Sequence, residues 1–440
     1  MRKNPEDCTA YAGSKGYRSA AGRIHDCAEP VRRQKARRDD NAIVEEAASR
    51  RCGAPMVIAF VMPVATDPRI NRRVQAAESL GCGTTIFSFD RDYFAGSHPG
   101  DSARIISLGQ IAHGKYLKRI WRLAVALLTL LRHRGLFRDA EVIYAFGPDC
   151  LVLCVVASLL LSMRRRRIIY ELADVRHVML ETSVKGMLLR WVERVALKST
   201  ELVVVTSEAY RDDYLSAMQH YPAMSTTVLE NKLTPPLPAP LEVTLPPDRR
   251  MTIRIGWFGL LRFAESWELL VRIAEQYPDR ISVYVRGYPI SLPDFASRVQ
   301  RVENLRYGGS YSSPGDLAQL YAEIDVSWVV YGVGTDRQRQ WMLPNRFFEA
   351  IYYRVPIIAA RGSLLAERVE ELGIGWAVDV EKSEQIVASM AGITWEKIQQ
   401  ARVRLSDLRR DYAIGSDENL DLIRRLIAES EYRSASRTTQ

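Results

Sequence analysis

Leu343-Pro344-Asn345-Arg346-Phe347-Phe348-Glu349-Ala350, followed by Arg354-Val355-Pro356-Ile357-Ile358-Ala359-Ala360, joins a polar helix start to an apolar run. Pro344 suits the first turn of a helix, where a missing N–H costs nothing. Residues three and four apart are helical neighbours, so Asn345, Arg346 and Glu349 share a face. Pro356 to Ala360 has the short, β-branched character of a parallel strand covered on both sides. A cation and a carboxylate on one helix beside a buried sheet suit a nucleotide sugar: Arg for phosphate charge, Glu for paired ribose hydroxyls. The same two residues would equally serve as a surface ion pair on an amphipathic helix.

Outward from this stretch, strand-like and helical runs alternate. Thr252 to Trp257, Ile281 to Val285, Val326 to Tyr331 and Trp376 to Val378 read as further strands of the same sheet. Upstream lie Met56 to Pro63, Thr84 to Phe89, Glu141 to Phe146, Arg167 to Leu172, Leu202 to Thr206 and Thr227 to Glu230, with a helix expected from Pro68 to Leu80. Alternation of this kind implies a parallel sheet wound on both faces. Between the two sets, Leu233 to Pro247 carries six prolines and fits neither helix nor central strand. The expected fold class is therefore α/β, with two doubly wound Rossmann-like domains facing a cleft. The expected organisation is a disordered basic leader at 1–54, an N-terminal Rossmann-like domain at 55–232 and a Pro-rich linker at 233–250. A C-terminal Rossmann-like domain at 251–413 and a C-terminal helix and tail at 414–440 complete it. That last amphipathic helix, about Asn419 to Glu429, is expected to cross back onto the first domain.

Composition narrows the class. With 440 residues, 47% apolar and 26% charged, the chain is an ordinary soluble protein too long for one core. Its longest apolar run, Cys150 to Met163, is too short to span a bilayer, which takes about 20 residues. Six scattered cysteines form no CxxC pair, which fits reduced thiols in a cytoplasm. No His/Cys cluster has zinc spacing, and there is no P-loop and no Gly-x-Ser-x-Gly elbow. The expectation is no metal and no cofactor. Asp90-Arg91-Asp92 has the DxD spacing of metal-bridging transferases, but after only the second strand it reads as a turn.

Charge placement points to a surface. From Ser102 to Arg138 there are eight Lys or Arg and no acid, and Arg164 to Arg167 add four arginines. Lys115, Lys118, Arg119, Trp121 and Arg122 open a Leu-rich basic helix suited to an anionic membrane surface. An internal helix with solvated basic ends is the other reading. No recognised nucleic-acid motif is present, so nucleic acid is not expected as a partner.

Ligands of open parallel sheets bind beyond the carboxyl ends of the strands. There the sequence offers Gly259 and Arg262 after one strand, then Arg286 and Gly287 after the next. Arg286 either reaches the cleft or holds the sheet edge. Thr335 and Asp336 lie in a polar loop that would overhang the donor site or serve as a mobile connection. In the first half, Asp67 reads as a helix cap. Asp174 and His177 follow a strand end and suit acceptor binding or proton transfer, or else a cap and a surface histidine.

Several stretches then carry a resemblance: Ile255-Gly-Trp-Phe-Gly259, Tyr170-Glu-Leu-Ala-Asp174, Val204-Val-Thr-Ser207, Leu343-Pro-Asn-Arg-Phe-Phe-Glu349 and Leu372-Gly-Ile-Gly375. In that order, from about Met56 to Met390, the chain resembles a family-4 retaining glycosyltransferase of the GT-B fold, in the branch of succinoglycan and exopolysaccharide biosynthesis. The resemblance implies a hexosyltransferase using a nucleotide-diphosphate sugar, usually UDP-linked, with Glu349 on the ribose and no metal. Gly259, Arg262, Arg286, Gly287, Thr335, Asp336, Pro344, Asn345, Arg346 and Glu349 would bind the donor. Asp174, His177 and Arg262 would be the catalytic set. The expected acceptor is a polyprenyl-diphosphate-linked saccharide at the inner face of the plasma membrane. Leu260, Glu265 and Trp341 stand where the family has Arg, Lys and Glu. A catalytically inactive scaffold and a UDP-sugar 2-epimerase are the alternatives.

Overall fold

The computed structural model describes residues 55–65, 67–90, 104–110, 116–163, 166–241, 252–331 and 337–438. The leader at 1–54, Arg91, Asp92, Lys115, Thr335 and Asp336 lie outside them, as do the side chains of Lys118 and Arg119.

Two all-parallel sheets form the frame. The first contains β1 (Val57–Met62), β2 (Gly83–Asp90), β3 (Arg104–Gln110), β4 (Val142–Phe146), β5 (Arg167–Leu172), β6 (Leu202–Val205) and β7 (Thr226–Val228). Their order is β3-β2-β1-β4-β5-β6-β7. The second contains β8 (Ile253–Leu261), β9 (Ile281–Pro289), β10 (Leu305–Tyr307), β11 (Val326–Val329), β12 (Ile357–Ala360) and β13 (Gly375–Val378), ordered β10-β9-β8-β11-β12-β13. Central strands such as β4 and β12 are buried along their whole length. Their continuous apolar runs follow from helices covering both faces.

The helices that matter below are α1 (Pro68–Ser79), α2 (Tyr116–Arg132), α3 (Gly147–Leu160), α4 (Val184–Leu197), α5 (Ala264–Gln276), α6 (Asn345–Tyr352) and α7 (Ser416–Thr438). On one face of the first sheet, α2, α3 and α4 bury Leu130, Leu151 and Leu197 among inward residues of β1, β4 and β5. The other face is closed by α1 together with α7, whose Leu422, Ile423 and Leu426 sit beside Ile58 and Ile70. The final helix thus packs on the first sheet, and its Leu426 carbonyl accepts from the Arg167 guanidinium at 2.7 Å.

Two strands were not anticipated from sequence. β3 lies inside the stretch read only for its basic charge, and β10 is three residues long. Both stand at a sheet edge, where one side is unpaired and the apolar run is diluted by Arg104 or Arg306. The proline-rich connection is extended where described: Leu233 donates to the Ala413 carbonyl at 2.8 Å and accepts from Gly415 at 2.9 Å.

Candidate functional site

In the second sheet the winding reverses between β8 and β11, the position where open α/β sheets bind ligands. Gly259 of β8 and Gly287 of β9 are register partners there, with φ of +101° and +128°. A Cβ on Gly287 would stand 1.9 Å from the Gly259 carbonyl oxygen, so a side chain at this position would force the strands apart. A Cβ on Gly259 would come within 3.6 Å of Arg346 Cζ, so glycine lets the guanidinium lie close over the strand end.

Arg346 is carried by the first turn of α6, with Pro344 as the preceding cap residue and Asn345 opening the helix. Its Cζ lies 5.3 Å from the centre of the Tyr331 ring, and its Nη1 is buried with no hydrogen-bond partner. A buried donor on a permanent cation is costly until an anion completes it. One turn on, Glu349 is 6% exposed, and its Oε2 accepts from the Tyr321 hydroxyl at 2.9 Å. Burial raises the Glu349 pKa above its usual 4.5, opposed by that hydrogen bond and by the charges of Arg346 and Arg72.

Arginines gather around one aromatic pair. Arg262 is exposed, with Cζ 5.3 Å from the Phe263 ring centre; Arg339, absent from the sequence expectations, lies 5.0 Å from the same ring. Phe263 meets Tyr331 edge-on at 4.7 Å, and Tyr331 is the ring under Arg346. Arg286 holds the sheet edge: its Nε donates to the Gly309 carbonyl at 3.3 Å and its Nη2 to the Ser310 carbonyl. Its charge also acts on Tyr311, as do those of Glu349 and Arg346.

The first sheet holds a cavity of about 340 Å³ at the carboxyl ends of β1, β4 and β5, again at a winding reversal. Asp67, Arg69, Asp149, Glu171, Asp174 and Arg176 supply its charge. Asp67 caps α1 through the Arg69 backbone N–H at 2.9 Å and holds the Arg69 guanidinium at 2.8 and 3.1 Å. Burial raises and Arg69 lowers the Asp67 pKa, and the cation prevails. Arg176 pairs with Asp149 at 2.7 Å. His177 does not line this cavity; its side chain is 62% exposed and stands 3.8 Å from Glu181. The structure therefore brings Asp174 to the cavity and leaves its sequence neighbour outside.

Sequence reading missed the buried network beneath. Arg73 donates from Nε and Nη2 to Glu171 at 3.2 Å, Tyr144 donates to the same carboxylate at 2.7 Å, and Arg73 Nη1 donates to Asn419 of α7. The signal was Glu171 itself, a charge inside an apolar strand, which must find a partner when buried. Beside it, Arg72 donates to the Lys232 carbonyl and acts electrostatically on Glu349 of α6. Burial, then Arg73 and Arg69, push the Arg72 pKa down to about 10, which leaves it cationic near neutrality. Trp341 also bridges the halves: it is buried in the core of the first sheet and meets Tyr210 edge-on at 6.4 Å. Of the five basic-helix residues, Trp121 and Arg122 have described side chains, and both are exposed.

No family model matches the chain. It is 28% identical over 357 residues to succinoglycan biosynthesis protein ExoL of Rhizobium meliloti (strain 1021), covering 77% of this chain and 85% of that one. The solved sucrose-phosphate synthase from Thermosynechococcus elongatus matches with a TM-score of 0.63 at 16% identity, over 85% of this chain and 100% of that one. Anabaena HepE, solved in complex with UDP, matches with a TM-score of 0.59 at 16% identity, over 85% and 100%. The same protein has been solved with UDP and glucose. Two parallel Rossmann-like sheets give this chain the GT-B glycosyltransferase fold, and its sequence is similar to that of a succinoglycan biosynthesis protein.

Proposed function

We propose that the chain is a retaining hexosyltransferase of exopolysaccharide or capsule assembly, taking its sugar from a UDP-sugar and passing it to a lipid-linked saccharide. The observation that carries this reading is the Arg346–Glu349 turn, where a half-buried arginine with a buried, unpartnered Nη1 stands one turn from a buried carboxylate. The guanidinium suits a diphosphate oxygen, and the carboxylate suits the two ribose hydroxyls. Similarity to HepE, solved with UDP, supports the choice of base. Similarity to ExoL supports the biosynthetic setting.

In this account the bond from the sugar C1 to the diphosphate oxygen breaks as an acceptor oxygen bonds to C1. Negative charge then grows on the leaving diphosphate. Arg346 and Arg262 are aimed at that charge and stabilise the transition state more than the ground state. The nearby Gly259–Gly287 contact lets the donor approach the backbone closely. Asp174 lines the cavity of the first sheet and holds the acceptor hydroxyl, whose proton passes to the departing diphosphate oxygen. Neutralisation by arginines and helix ends replaces a metal. The basic α2 docks the first domain on anionic lipid at the inner face of the membrane, where a lipid-linked acceptor resides.

The test is transfer of labelled hexose from UDP-glucose or UDP-galactose to a lipid extract of an exopolysaccharide-forming cell. The reading expects label in the lipid-soluble fraction, with UDP released, and at least about a tenfold loss in Arg346→Ala. Isomerised UDP-sugar without an acceptor would favour an epimerase. No nucleotide turnover and no UDP binding would favour a non-catalytic scaffold.

A further inference from the structure

The helical layer over one face of the first sheet is apolar on both its sides. α3 packs between α2 and α4, and all three bury a stripe in the core beneath. A helix covering a sheet normally turns a polar face to water. Here ten of the eighteen large apolar side chains exposed among the described residues stand on these three helices. Trp121 and Leu128 protrude from α2, Leu159 and Leu160 from the end of α3, and Leu188 and Trp191 from α4. Trp121 is 69% exposed and Trp191 59%; every other tryptophan of the chain is buried or half-buried. Exposed apolar side chains gathered on neighbouring helices in this number mark a docking surface.

Charge selects the occupant. Exposed charges on these helices are cationic: Arg122 and Arg132 on α2, Lys185 on α4, with Lys198 just past its end. The acids on the same helices do not face outward, since Glu193 is 1% exposed beneath α4 and Asp149 is paired with Arg176 at the cavity. Glu193 is held inward by the hydroxyls of Tyr170 and Tyr214 and by the Gln219 amide. A second copy of this chain docked face to face would set these cations against one another. An anionic bilayer matches both the apolar surface and its positive rim. Among the described residues no helix is long and apolar enough to cross a membrane, so the contact is one of lying on the surface.

We propose that α4, anchored by Trp191, is a second membrane-contact helix, and that the first domain lies on anionic lipid through α2 and α4 together with the end of α3 between them. The inference rests on the peripheral-membrane reading above and adds to it an element that the basic-helix pattern did not include. Along the chain, α4 begins ten residues after Asp174, which lines the cavity of the first sheet.

The experiment is co-sedimentation of the full chain with vesicles of phosphatidylglycerol and phosphatidylethanolamine, against pure phosphatidylcholine. It uses wild type, Trp121→Glu and Trp191→Glu, with thermal unfolding and UDP titration of each. The expected result is binding to the anionic vesicles, weakened at least about tenfold by either substitution, with unfolding and UDP affinity unchanged. As a variant that keeps the fold, Trp191→Phe should lose part of the fluorescence quenching caused by brominated lipid. Wild-type-like binding and quenching in the Trp191 variants, with binding lost in Trp121→Glu, would overturn the role of α4 while leaving the peripheral reading intact. No binding by wild type would overturn both. Self-association abolished by Trp191→Glu, without vesicle binding, would assign the face to a second copy and overturn the proposal.

Discussion

The Tyr321 hydroxyl donates to Glu349 Oε2 at 2.9 Å, and the Tyr353 ring stacks on Tyr321 with centroids 5.1 Å apart. One oxygen of the carboxylate is thus oriented from a rigid aromatic wall, and the buried group titrates above the usual 4.5 because burial disfavours its charge. Two opposite pH dependences follow. For stability without ligand, a raised folded-state pKa means the contribution of Glu349 is present in full below the unfolded value and is lost as pH rises through the folded one. For binding, the proposed function has the carboxylate form accept two ribose hydroxyls, so UDP-glucose affinity should fall as pH drops through the same raised value. Calorimetric titration from pH 5 to 8 should show that loss in wild type and a flat, weaker affinity in Glu349→Gln. A pH-dependent loss surviving in Glu349→Gln would assign it to another group.

Trp341 meets Tyr210 edge-on across the two halves of the molecule, in the place where the resembled family carries a carboxylate. Trp341→Ala should cost about 3 kcal/mol in urea unfolding, as a large buried aromatic. A double-mutant cycle with Tyr210→Ala should return a coupling of about 0.5–1.5 kcal/mol, the value of an aromatic pair beyond its burial. Zero coupling would mean that the contact does not hold the halves together. Trp341→Glu, which introduces the carboxylate of the resembled family, should destabilise as well, because it would be placed among apolar side chains.

Arg73 is 2% exposed and bonds Glu171, itself fully buried, while reaching Asn419 on the last helix. Removing one member of a buried pair leaves the other charge without compensation. Arg73→Met should therefore lower unfolding free energy by about 3–5 kcal/mol. Glu171→Gln, which keeps the shape and removes the charge, should also be damaging, since Arg73 is then the uncompensated ion. Measured losses near zero for both would show that this network is solvated.

Much of this frame was legible beforehand. Strand runs such as Val142–Phe146 and Ile357–Ala360 announce a parallel sheet because their burial on both faces removes polar alternation. Pro344, Asn345, Arg346 and Glu349 form a readable helix start for the same reason of periodicity. What stayed hidden depended on tertiary neighbours. The hydrogen bonds of Arg286 to the carbonyls of Gly309 and Ser310 depend on residues more than twenty positions away. Arg339 gains its place only when the Arg337–Trp341 helix sets it against Phe263, and Arg72 only when it comes within electrostatic reach of Glu349. The apolar outer face of α4 was hidden for a different reason. A helix rich in Val, Leu and Trp reads as core from sequence, and only exposure shows that half of it has no partner.

Charge neutralisation by arginines predicts indifference to chelation. Transfer activity should be unchanged within about twofold after EDTA treatment and should not rise with added magnesium or manganese, because the proposed function gives Arg262 and Arg346 the role a divalent ion would fill. Activity abolished by EDTA and restored by a divalent ion would contradict that assignment.

The most direct test of the donor site is a calorimetric titration of the full chain with UDP and, separately, with uridine, for wild type and Arg346→Ala. Arg346 carries a buried unpartnered Nη1, and a charge-assisted bond to phosphate is worth about 1.5–3 kcal/mol. The account predicts that UDP binds wild type far more tightly than uridine does. In Arg346→Ala, UDP affinity should fall roughly tenfold to hundredfold while uridine binding is unchanged. Equal UDP affinity in wild type and Arg346→Ala, or no UDP binding by the folded wild-type chain, would contradict it.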